Sequence, residues 1–355
     1  MLLVDKRRYY WVAYLIIISG FILEGGSSVF LFRYYSHKQK SFSPEATATG
    51  FLIQKALGVR SDNIFEADNP EMFRPDTVLG YTTNPGIYRI IETSGVKKHG
   101  YSVTVTEPGI RATSYHSTTA SRRMYILGNS SIWAVGLNDE MTAPWLLQAR
   151  LPNYRVINLA LTGYTNVQQL LQYRKIKETL HSDDIVVVSY SAGDLLHNVA
   201  DPNWLKAELH PYELSLSDKA KFREVRIPYA NLSNEGRLSI NYIPMVCARN
   251  EKSMCNHDVP VAKERETIAI KTLEEILRDG KCHVLVAVFD GDDNDPVIAS
   301  LRFSGAPIAD LRIKPGVDDE DYLPERDHRG AFTSYWFYEV LLDVLGKNKM
   351  LRNYD

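Results

Sequence analysis

Four apolar runs, at residues 124–127, 155–161, 184–189 and 283–289, alternate with segments of helical character at 143–151, 167–180 and 261–278. That alternation constrains the chain strongly. Strands joined through helices pair in parallel, and a parallel sheet needs helices on both of its faces to be buried. In the third helical segment Ala269, Ile270, Leu273, Ile276 and Leu277 share one face, and Gly280 supplies a C-terminal stop. A closing helix is expected at 333–345, rich in aromatic residues and leucine. Residues 195–260 break the pattern with an insertion far longer than the usual strand-to-helix connection of about 2 to 6 residues. Two readings of it are open: a wall for a substrate pocket, or a surface excursion that packs its own aromatics, Trp204, Tyr212, Tyr229 and Tyr242.

Before the core, residues 41–120 read as a short helix followed by a small β appendage. Apolar and polar residues alternate from Tyr101 to Thr106, and Glu107, Pro108 and Gly109 end the run as a turn. The first 40 residues differ from both. Lys6, Arg7 and Arg8 precede an apolar stretch that reaches residue 32, broken by Glu24 and its small neighbours. As one helix, residues 9–32 would span about 36 Å, enough for a bilayer core of about 30 Å. A cleaved signal peptide with its apolar core at 10–23 is the alternative, but no small-x-small cleavage site follows. The expectation is an uncleaved signal anchor, a single-pass transmembrane helix that leaves the body outside the cytoplasm.

The body is large enough for a full domain: 355 residues, 45% hydrophobic and 24% charged. With 41 Lys and Arg against 43 Asp and Glu, the charge balance carries no electrostatic footprint for nucleic acid, which is not an expected partner. Cys282 falls in an apolar strand and reads as a core residue, whereas Cys247 and Cys255 lie in a polar stretch where a disulfide and two free thiols are both open.

The chemistry resides in Gly128, Asn129 and Ser130, directly after the first apolar run, and in His328 near the C-terminus. A strand that ends in a tight glycine turn lifts the next side chain to the carboxyl edge of a parallel sheet, where such proteins bind their ligands. The bland alternative for Ser130 is a helix N-cap. A serine needs a base to take its proton, and a carboxylate to hold the base's tautomer, before it can attack an ester. For His328 that carboxylate is Glu325 or Asp327. The run from Asp290 to Asp295 glances at a calcium loop, yet it lacks a Glu at the twelfth position and is explained by helix capping near Pro296. Neither a metal nor a cofactor is expected.

With these motifs the chain resembles the SGNH hydrolases, also called the GDSL family. In that resemblance Ser130 matches the nucleophile, with Asn129 where the family has Asp. Gly163, in the stretch from Asn158 to Tyr164, matches the second-block glycine, and His328 matches the base, with Glu325 at the Asp of the family's DxxH. The resemblance implies a flavodoxin-like three-layer α/β/α fold with a central parallel sheet over 121–355, and a serine acyl-enzyme mechanism with an oxyanion hole built from Ser130, Gly163 and position 193. One block departs. Aligning Asp194 with the Asp of GxND places Gly193 on its Asn, which removes a side-chain amide donor. Asp194 either caps the next turn or orients the Ser130 loop. Weaker cues from Asp76 to Tyr81 look like longer, envelope-associated members. The resemblance therefore implies an extracytoplasmic ester hydrolase or O-acyltransferase, with an acyl ester, such as an acylated envelope glycan, as substrate. The competing reading is a weakened member of the same fold that binds a glycan or an envelope partner.

Overall fold

The computed structural model describes residues 64–67, 71–94, 97–116, 120–202, 204–205, 225–245, 259–312 and 330–351. The anchor candidate at 9–32, Cys247, Cys255, Glu325, Asp327 and His328 all lie outside the described residues. The chain divides into two compact units, residues 1–63 with 94–97, and residues 64–93 with 98–355. All the described residues except Ser94 and Lys97 belong to the second unit. Among the described residues, no helix is long and apolar enough to cross a membrane.

The first six strands are β1 (Ile64–Ala67), β2 (Phe73–Asp76), β3 (Gly80–Thr83), β4 (Gly86–Ser94), β5 (Lys97–Thr106) and β6 (Ile110–Arg111). The core adds β7 (Arg122–Ile126), β8 (Tyr154–Asn158) and β9 (Ile185–Tyr190), then a hairpin of β10 (Arg226–Leu232) and β11 (Leu238–Pro244), and finally β12 (His283–Val288) and β13 (Ile308–Asp310). One nine-stranded sheet has the order β1-β4-β5-β6-β8-β7-β9-β12-β13. Strands β8, β7, β9, β12 and β13 are mutually parallel, as the alternation of strand and helix predicts.

Three details differ from the expectation. Part of the N-terminal β structure joins the core, because β6 pairs antiparallel with β8 through Arg111 and Asn158 and so adds β1, β4, β5 and β6 to the edge of the parallel sheet, whereas β2 and β3 form an antiparallel hairpin of their own. A fifth parallel strand, β13, is too short to stand out in the sequence. The second apolar run ends as a strand at Asn158, and residues 159–161 run on alongside the end of β7: Leu159 N donates to Ile126 O, and Leu161 N to Gly128 O.

The helices are α1 (Ser130–Trp133), α2 (Ala143–Arg150), α3 (Asn166–Ile176), α4 (Asp194–His197), α5 (Ala262–Arg278), α6 (Pro296–Phe303) and α7 (Ala331–Lys347). Every residue of β9 is buried, since successive side chains point to opposite faces and both are covered. Ile185 and Val187 pack with Leu147 of α2 and with Phe337, Leu341 and Leu345 of α7. Val186, Val188 and Tyr190 pack with Leu170 of α3, with Leu273 and Ile276 of α5, and with Val297 of α6. Each fully buried Val or Leu is worth about 1.5 to 3 kcal/mol over its exposed state, which makes the two-sided pattern the main determinant of the layering. The acidic run at 290–295 ends as the capping argument requires: Asp295 is the N-cap of α6 and accepts from Val297 N and Ile298 N. Cys282 is a half-buried free thiol just ahead of β12, its pKa raised to about 12, chiefly by burial.

Candidate active site

Strand β7 stops at Ile126, and Leu127 and Gly128 carry the chain to the carboxyl edge. Gly128 is held close on both sides, because a Cβ there would lie 2.8 Å from Ile132 Cγ1 and 3.0 Å from Ser189 Oγ. Helix α1 begins at Ser130, and its N-cap is Asn129, whose side chain accepts from Ser131 N at 3.1 Å. The capping role therefore belongs to Asn129 and leaves the Ser130 hydroxyl unused by the helix. Ser130 is partly exposed, and among the described residues no hydrogen bond engages its Oγ.

Behind the nucleophile candidate, Arg111 fixes the far end of α1. This side chain is fully buried and bonds Asp139 Oδ1 at 2.9 Å, the carbonyl oxygens of Trp133, Ala134 and Leu137 accepting its other N–H groups. Burial pulls its pKa down while Asp139 holds it up. A lone buried guanidinium would be costly, and four acceptors offset that cost.

The loop after β9 supplies Gly193 and Asp194. Asp194 is 1% exposed; its Oδ2 accepts from Ser191 N at 3.1 Å, and its Oδ1 lies 3.5 Å from the donating Asn129 Nδ2. Asp194 thus braces its own turn and, through Asn129, ties the β9 loop to the β7 loop. Gly193 has φ −59 and ψ −31, an ordinary helical conformation. Among the described residues a Cβ there would touch His197 Cε1 at 3.7 Å and Ser191 Oγ at 3.9 Å, both ordinary contacts, and the backbone conformation does not require glycine. Gly163, by contrast, has φ +71, and a Cβ on it would collide with Tyr81 Oη.

The structure therefore brings Ser130, Asn129, Gly163, Gly193 and Asp194 to the carboxyl edge of three adjacent strands, β8, β7 and β9. The chain leaves the described residues after Arg312, just past β13, and returns at Gly330, the N-cap of α7. Two residues were missed by sequence reasoning. Tyr81 reaches Gly163 from 82 positions away, and no local signal announces that. His197 follows Asp194 by three positions in a short helix, a spacing that could have been noticed; its Nδ1 lies 3.8 Å from Asp194 Oδ1, and its ring stacks on Trp204 with centroids 4.8 Å apart. Hairpin β10–β11 of the insertion packs on α3, α5 and β3, with Ala230 N donating to Asn198 O at 2.8 Å.

Asp194 and His197 predict a distinctive pH response. Burial raises the Asp194 pKa to about 7, with Asp290 adding to it and the Ser191 and Asn129 hydrogen bonds opposing. Burial lowers the His197 pKa to about 4, opposed by Asp201. The stability that Asp194 contributes is complete below its ordinary value and is lost as pH rises towards 7. That of His197 is complete above its ordinary value and is lost as pH falls towards 4. Between about pH 4 and 6.5 the two slopes are opposite, each about 1.4 kcal/mol per pH unit at most, and they cancel. Thermal melts across this window should show that Asp194→Asn stability climbs with pH and His197→Gln stability declines. Parallel curves for both variants and the parent would refute the assignment.

No family model matches the chain, and no curated protein matches it by sequence. Solved structures do. A member of the lipolytic protein G-D-S-L family from Veillonella parvula aligns at 11% identity and a TM-score of 0.39, covering 64% of this chain and 100% of that one. The psychrotrophic esterase EstA from a Pseudoalteromonas species aligns at 13% identity and 0.38, covering 64% and 98%. A catalytic mutant of Axe2, an acetylxylan esterase from Geobacillus stearothermophilus, aligns at 11% identity and 0.38, covering 66% and 98%. Solved structures similar to this chain thus include a lipolytic protein of the G-D-S-L family and two esterases.

Proposed function

We propose that this chain is a serine ester hydrolase or O-acyltransferase of SGNH type, acting on an acyl ester outside the cytoplasm and held at the membrane by residues 9–32. The observation that carries the reading is the Ser130 loop. A serine opens a helix at the carboxyl edge of a parallel sheet, the capping work falls to its neighbour, and none of the described residues bonds its hydroxyl. In the proposed cycle Ser130 Oγ attacks the ester carbonyl and passes its proton to His328. Glu325 or Asp327 holds the imidazole, and the backbone N–H groups of Ser130 and Gly163 receive the oxyanion. The leaving alkoxide takes the proton from His328 as the acyl–oxygen bond breaks. Water then resolves the acyl-enzyme to the acid, or an acceptor hydroxyl resolves it to a new ester, and His328 again removes the attacking group's proton. An acylated envelope glycan suits the proposed location.

Gly193 favours a second reading, a glycan- or partner-binding protein whose oxyanion hole has been weakened. A fluorophosphonate probe separates the two, because it reacts only with an activated serine. Covalent mass on the peptide containing Ser130, lost in His328→Ala, supports the enzyme. An unmodified peptide after prolonged exposure supports the binding module.

A further inference from the structure

Tyr81 lies on β3, outside the alternating strand-helix core, and is 2% exposed. Its hydroxyl donates to Thr162 O at 2.8 Å. Tyr164 returns the contact, its hydroxyl donating to Tyr81 O at 2.6 Å, and the two rings meet edge to face with centroids 5.4 Å apart. Gly163 sits between these anchors at φ +71. The Thr162 carbonyl and the Gly163 N–H are opposite ends of one planar peptide unit, so a hydrogen bond at the oxygen also sets the direction of the N–H. It polarises the unit as well, which makes that N–H the stronger donor. The fit is close, since the Tyr81 hydroxyl occupies the place where any Cβ at 163 would fall.

We propose that Tyr81 is a positioning residue which aims the Gly163 N–H at the developing oxyanion, and that the N-terminal β2–β3 hairpin thereby completes the site on the parallel sheet. The inference rests on the esterase reading above. It gives the hairpin a catalytic duty that the core motifs do not contain.

The test is Tyr81→Phe in the full-length protein, which keeps the ring and deletes one hydroxyl. Turnover of p-nitrophenyl acetate should fall about tenfold, a part of the hundredfold to thousandfold that follows outright loss of one oxyanion donor, while KM stays within about twofold. In protein labelled with 15N-glycine, the Gly163 amide proton should move, which reports the peptide unit whether or not the enzyme turns over. Tyr164→Phe removes the returning bond but not the Tyr81 to Thr162 bond, and should lower turnover less than Tyr81→Phe does. The proposal is overturned if Tyr81→Phe keeps the parent kcat, or if kcat drops only in step with the folded fraction while the Gly163 amide stays fixed. Hydrolysis that survives Ser130→Ala would instead remove the esterase reading, an outcome distinct from either of these.

Discussion

Ser130→Ala should reduce ester turnover by at least about a thousandfold while its melting temperature stays within about 2 °C of the parent. The kinetic half of this follows from the proposed covalent route: without the hydroxyl no acyl-enzyme would form, leaving only catalysis by binding and the oxyanion donors. The thermal half follows from the structure. Asn129 performs the N-cap function, and the Ser130 backbone accepts from Ala134 N at 2.8 Å whatever its side chain is, so the hydroxyl supports no element. A residue partly exposed, whose side chain bonds none of the described residues, belongs to the class of substitutions worth about half a kcal/mol or less. A chromogenic short-chain ester and a melting curve on the same samples measure both. Equal rates for parent and variant would leave only background hydrolysis and would move the protein into the binding class.

Gly193→Asn should raise turnover by about ten- to a hundredfold, or about 1.4 to 2.7 kcal/mol of barrier. The backbone at 193 is already helical, and an added Cβ meets only ordinary contacts from His197 and Ser191. The described residues leave room for that Cβ, and the missing donor is the one whose loss is expected to weaken the proposed hole. Gly193→Ala is the control. It fills the same first position without a donor and should leave the rate near that of the parent. If Asn and Ala behave alike, the deficit at 193 does not limit the reaction, and the gap serves something else, such as room for a bulky substrate.

The parallel core was legible because its strands are buried on both faces, and burial of that kind leaves an unbroken apolar run between helical segments, as at 184–189. Likewise, a glycine turn after such a run marks Ser130 without reference to the rest of the molecule. Strand β13 escaped because three residues carry too little pattern, and the union of β6 with β8 escaped because pairing across an edge leaves no local trace. Local periodicity is a property of neighbours along the chain, and so the sequence by itself determined the layers, the strand direction and the serine at the sheet edge. Which side chains meet across loops was decided only by the tertiary structure: Asn129 with Asp194, and Tyr81 with the peptide ahead of Gly163. Those pairings depend on how separate elements close upon one another, and a residue's identity does not encode the distance to a partner 65 or 81 positions away.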